Sequence, residues 1–167
     1  MAITTLITRT LKGFNKYMIM STYTQILYQI VFSTNKREET LIEHNRQELF
    51  KYISGILQNK KCHIYRINGV YDHIHIVTHV HPSIAIASLV KDIKLASSKY
   101  IKENRLFPYF DGWQDGYGAF TYSFRDKDNL IEYVINQEIH HRIKSSKDEL
   151  FELLNENGVE FDEKYIV

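Results

Sequence analysis

Two strand-like runs, CHIYRINGV (62–70) and HIHIVTHV (73–80), stand almost back to back between two stretches of helical periodicity. β-branched and aromatic runs this close pair as a hairpin, and Val70-Tyr71-Asp72 carries the turn. Upstream, LIEHNRQELFKYISGILQNK (41–60) places Leu49, Ile53 and Ile56 at helical spacing. Downstream, Pro82-Ser83 opens a helix to about Asn104, with Ile86, Leu89, Val90, Ile93, Ala96, Tyr100 and Ile101 on its buried stripe. YTQILYQIVFS (23–33) adds a first strand, and AFTYSF (119–124) a fourth after the loop RLFPYFDGWQDGYG. The order β-α-β-β-α-β predicts a ferredoxin-like split βαβ sandwich of the α+β class. Its four-stranded antiparallel sheet has strands one and three at the centre. Two helices follow, DKDNLIEYVINQEIHHRI (126–143) and SSKDELFELLNENG (145–158). The second has Ser146 and Glu149 as its capping box and Gly158 as its stop.

A chain of 167 residues, 44% hydrophobic and 25% charged, suits one core. The net charge of +1 neither demands nor excludes a nucleic-acid partner. One cysteine, Cys62, permits no internal disulfide and fits a reducing cytoplasm. No apolar run is long enough to span a bilayer. Residues 1–19 hold Arg9, Lys12 and Lys16 and no acid. The expectation is an upstream extension with little order, and a single domain over 20–167.

Four of the eight histidines fall in VYDHIHIVTHVHP (70–82). Residues two apart on a strand share a face and lie about 6.5–7 Å apart, so His73 and His75 can lean onto one ion. His79 lies about 13 Å beyond His75 and His81 further still, so neither joins them. Alone, an H-x-H is more often a pair of exposed histidines. Val77 excludes the H-x-H-x-D-H hydrolases and the histidine-triad hydrolases, so any further ligand comes from elsewhere. On the helix over 126–143, Tyr133 and Gln137 are about 40° apart around the axis and about 6 Å apart along it. His140 lies near the same line. Ile131, Val134, Ile135 and Ile139 form the opposite face, expected to pack on the sheet.

The stretches YTQILYQIVFST, GVYDHIHIV, LVKDIKLASSKYI, WQDGYGAFTYS and YVINQEIHH together carry a resemblance. From about Ser21 to Tyr165 the chain resembles the HUH-superfamily single-tyrosine transposases of the smallest bacterial insertion sequences, the TnpA-like proteins. It also resembles their relatives associated with repetitive extragenic palindromes. The resemblance implies that His73 and His75 are the HUH metal ligands, that Gln137 is the third ligand and that Tyr133 is the nucleophile. It implies a homodimer acting on single-stranded DNA with hairpins at element ends, through a 5′-phosphotyrosine intermediate. A phenol with a pKa near about 10 needs help to attack at neutral pH, and a divalent ion on the phosphate supplies it. A His/Gln/water site suits Mg²⁺ or Mn²⁺.

Lys91, Lys94, Ser98, Lys102 and Arg105 form a stripe opposite the apolar face of their helix. Such a stripe tracks phosphates or is a solvated helix face. Tyr109, Trp113 and Tyr117 are candidates to stack on unpaired bases or to pack a loop, with packing preferred for Trp113. The acidic segment that includes Glu149, Glu152 and Glu156 is expected to cover the dimer interface or the site rather than touch DNA. Two other readings stay open. One is another HUH nuclease, a replication initiator or relaxase. The other is a non-catalytic ferredoxin-like module, which would need aromatic residues on an open sheet face.

Overall fold

The structure is a computed structural model that describes residues 23–141 and 144–163. The expected extension over 1–19 lies outside the described residues. Four strands, β1 (Leu27–Ser33), β2 (His63–Gly69), β3 (His73–His79) and β4 (Gly118–Tyr122), form one antiparallel sheet in the order β2-β3-β1-β4. Strands one and three are central, so the ferredoxin-like α+β reading holds.

The strand period of two divides the sheet into two faces. One face presents Ile30, Phe32, Ile74 and Ile76 to α1 (Glu43–Asn59) and α2 (Ile86–Asn104). There Leu49, Ile53, Leu57, Leu89 and Ile93 complete the main core, all fully buried. Truncating Ile53 to Ala would cost about 2–5 kcal/mol. The opposite face carries Leu27, Gln29, Val31, His73, His75 and Val77. It is covered by α3 (Lys127–Ile135), α4 (Gln137–His140) and α5 (Ser146–Glu156). With both faces covered, β3 is buried over His73–Thr78. An open sheet face for RNA-style stacking is therefore absent among the described residues.

The helical segment over 126–143 is not continuous. It breaks at Asn136, where Asn68 Nδ2 donates to the carbonyls of Val134 at 2.8 Å and Ile135 at 3.1 Å. These are carbonyls a helix end leaves free. Leu130 and Val134 pack on Leu27 and Val77. Ile135 and Ile139, expected on the sheet, are exposed instead. The α2 boundary also differs: Pro82-Ser83 forms a turn, with the Ile84 N–H donating to His81 O at 2.9 Å, and the helix starts at Ile86. Trp113 packs edge-on to Phe32 and Phe110 and donates Nε1–H to Ser97 Oγ at 3.0 Å, so its role in the loop is packing.

Candidate active site

The site forms where the first turn of β3 meets the three C-terminal helices. In the ladder His73 lies opposite Ser33, and His75 opposite Val31 and Asn68. Both imidazoles therefore point to the α3–α5 face, with ring centroids 4.9 Å apart. Each is held from behind through Nδ1. His73 Nδ1 lies 2.7 Å from Asp72 Oδ1, and the other Asp72 oxygen accepts the Ser146 hydroxyl. His75 Nδ1 lies 3.0 Å from Gln29 Nε2, and the Tyr122 hydroxyl donates to Gln29 Oε1 at 2.7 Å. Partners of this kind fix the orientation of a ligating imidazole.

The Nε2 atoms consequently face the same space. Both are fully buried without a hydrogen-bond partner among the described residues. The Glu149 carboxylate stands between them and the helices, 3.2 Å from His73 Nε2 and 3.6 Å from His75 Nε2. Three more groups converge on it. The Tyr133 hydroxyl donates to Oε1, Gln137 Nε2 donates to the same oxygen at 2.9 Å, and His141 Nε2 lies 2.7 Å from Oε2. One ligand atom from each of His73, His75 and Glu149 lies within 4.8 Å of the others. Tyr133 is half-buried with its ring 6.1 Å from that of His75, and Gln137 is fully buried.

The electrostatics follow from this crowding. Burial pushes the His73 pKa down, but the facing Asp72 and Glu149 carboxylates outweigh it and raise it to about 9. Burial lowers the pKa of His75. Burial alone would raise the Glu149 pKa; the surrounding imidazoles, His141 first, hold it far below the usual carboxylate range. Tyr133 is pushed well above the ordinary phenol value, by burial first and by the Glu149 charge second. This arrangement keeps the phenol neutral.

The structure thus brings together His73, His75, Tyr133 and Gln137. His79 and His81 stay apart, at the far end of β3: His79 Nδ1 meets the backbone of Ile26, and His81 Nδ1 meets Ser83 Oγ at 2.7 Å. The side chain of His140 lies outside the described residues; His141, four after Gln137, is the imidazole at Glu149. Sequence reasoning places Glu149 in an acidic segment covering the dimer interface or the site, and misses that it stands with His73 and His75 as a potential ligand. The true capping box is one residue earlier: Ser145 Oγ accepts from the Asp148 N–H at 3.2 Å, which leaves Glu149 free to face inward. The basic stripe is split. Lys91, Lys102 and Arg105 are exposed and Ser98 is half-buried, whereas Lys94 turns inward. Its ammonium donates to Gln114 O at 2.7 Å and to Gly116 O, so it holds a loop.

Residues 22–137 match the family described as IS200-like transposases, well over half of the chain. The chain belongs to the IS200-like transposase family. The matched span includes His73, His75, Tyr133 and Gln137, and α5 with Glu149 lies beyond it. Two solved structures share the fold of this IS200-like transposase. One is a Deinococcus radiodurans protein described as a transposase, 20% identical with a TM-score of 0.55, over 70% of this chain and 95% of that one. The other is a REP-associated tyrosine transposase bound to a REP hairpin. It is 17% identical with a TM-score of 0.53, over 73% of this chain and 74% of that one. No curated protein sequence matches. No helix among the described residues is long and apolar enough to cross a membrane.

Proposed function

We propose that this transposase cuts and rejoins single-stranded DNA at hairpin-bearing ends, with Tyr133 as the nucleophile. The observation that carries the reading is convergence: one phenol and the buried Nε2 atoms of two imidazoles meet around a single carboxylate. The Tyr133 oxygen gives up its proton and attacks phosphorus, a 5′-phosphotyrosyl bond forms, the bond to the 3′ oxygen breaks, and that oxygen takes up a proton and leaves as a 3′-hydroxyl. Strand transfer reverses the step with another 3′-hydroxyl. The phosphoester is conserved throughout, so no nucleotide cofactor is consumed.

The residues fit a divalent cation, Mg²⁺ or Mn²⁺. Two buried imidazole nitrogens that face one carboxylate without a well-formed hydrogen bond are a donor set suited to a cation. His73 and His75 would hold the ion through Nε2. Glu149 and Gln137 are the remaining oxygen donors, and Glu149 lies 3.2 Å and 3.6 Å from the two Nε2 atoms. When bound, the ion would polarise the scissile phosphate and offset its charge. The chain's own groups do the rest. Asp72 and Gln29 orient the two imidazoles, and Glu149 and Gln137 hold the phenol hydroxyl at the site. Entry of the phosphate must displace the Tyr133–Glu149 hydrogen bond, because both oxygens claim the same space. The REP hairpin bound by the related transposase supports a hairpin substrate. A homodimer completes the proposal, and the exposed Lys91, Lys102 and Arg105 are its candidate phosphate contacts, with Ser98 beside them.

The test is cleavage of a hairpin oligonucleotide from the gene's flanks, as single strand and as duplex, with Mg²⁺, Mn²⁺ or chelator. Metal-dependent release of a 3′-hydroxyl fragment from the single strand, lost in Tyr133→Phe, is the expected result. Tight hairpin binding without cleavage under any metal would favour a non-catalytic binding module.

A further inference from the structure

A cavity of about 240 Å³ opens beside the histidine–glutamate cluster and shares His73 and Glu149 with it. It lies between the end of β1, the 114–118 loop and α5, and the proposed cleavage chemistry leaves it unused. Its α5 side is apolar, with Leu150 and Leu154, and Phe161 follows on the same side. Tyr117 forms the facing edge and is 42% exposed.

Arg37 supplies a guanidinium to this cavity, and the chain reaches it under strain. Lys36 and Arg37 both take left-handed backbone, with φ of 52° and 55°. Non-glycine residues rarely do so, at a cost of about 1–3 kcal/mol each, and such strain persists where the surroundings over-determine it. Here they do. The Lys36 N–H donates to Gln114 Oε1 at 2.8 Å, and the Asn35 N–H to Gly112 O at 2.8 Å. The result aims Arg37 inward, with Nη1 donating to Ser146 Oγ at 3.2 Å. The opposite wall is fixed too. The Gln114 N–H donates to Ser33 O at 2.9 Å, and Lys94 takes the Gln114 and Gly116 carbonyls. The walls are therefore held in place by the fold.

We propose that this cavity is the subsite for a nucleotide adjoining the scissile phosphate, its base between Tyr117 and the α5 leucines and its phosphate on Arg37. The inference rests on the reading of the site as a single-strand DNA cleavage centre. An unpaired strand presents bases without stacking partners, and an aromatic edge over an apolar wall replaces them. A guanidinium matches the phosphate that joins two nucleotides. The shared His73 and Glu149 place the cavity next to the chemistry rather than at a remote hairpin contact.

Single-turnover cleavage of hairpin oligonucleotides tests it, with an abasic residue at each position flanking the cut in turn. Wild type should lose about tenfold to a hundredfold at one flanking position, the range one stacked base supplies. Tyr117→Ala, at an exposed position, and Leu154→Trp, which fills the cavity, should abolish most of that position-specific loss while Mn²⁺ binding is unchanged. Arg37→Gln should lower the slope of log Kd against log salt by about one. A loss equal at all positions, a loss undiminished in both variants, or an unchanged salt slope would overturn the proposal. Failure of wild type to cut any intact hairpin would instead overturn the cleavage reading, and the subsite with it.

Discussion

His73 ties the protonation of the site to the stability of the fold. Its folded pKa of about 9 exceeds the ordinary value of 6.5. The protonated form is therefore favoured by folding. That stabilisation is complete below about pH 6.5 and is lost as pH rises through about 9. At about 1.4 kcal/mol per pH unit, the loss is about 3 kcal/mol. Glu149 has the opposite sign: its depressed pKa gives stability above the ordinary carboxylate range that disappears in acid. Urea unfolding of chelator-treated protein should therefore show falling stability from pH 6.5 to 9. With Mn²⁺ present the trend should reverse, because a bound cation needs the imidazole deprotonated. A flat profile without metal would contradict the contacts that Asp72 and Glu149 make with His73.

Between elements, the decisive contact is made by α5. Ser145 caps it through the Asp148 N–H, Ser146 reaches Asp72, and Glu149 reaches both histidines. Ser145→Ala should cost about 1 kcal/mol of stability, the usual worth of such a cap. It should also weaken Mn²⁺ binding, since Glu149 lies in the first turn that the cap fixes; urea unfolding would detect the first effect and calorimetric titration the second. The same element shows how far the sequence could be read. The pairing of His73 with His75 follows from strand parity, a local property, and the strand order with β3 central follows from the β-α-β-β-α-β sequence of elements. Glu149 was hidden by two adjacent serines, either of which begins a plausible capping box. The choice between them fixes which carboxylate faces solvent, and that depends on tertiary contact with Asp72. The inward turn of Lys94 was hidden likewise, because helical spacing places its Cα on the basic stripe while the 114–118 loop captures its ammonium. The exposed Ile135 and Ile139 follow from the break at Asn136, which Asn68 on a different element stabilises.

For the whole molecule, Tyr133, Gln137, Glu149 and the histidine pair meet within one chain. Tyr133 already stands beside His75, and both belong to the same protein copy. In a homodimer, this arrangement predicts that the tyrosine acts on the histidine pair of its own chain. Mixing Tyr133→Phe with His75→Ala should then restore no cleavage. Recovery in the mixture would show that the tyrosine helix serves the partner's histidines. The central claim, however, is the identity of the nucleophile. The chain contains twelve tyrosines, and only one of them should form a bond to DNA. Mass spectrometry of the protease-digested covalent complex, formed on a hairpin oligonucleotide with Mn²⁺, reads this directly. A nucleotide carried on the peptide containing Tyr133 is the predicted result; a nucleotide on any other residue, or cleavage without any adduct, would contradict the account.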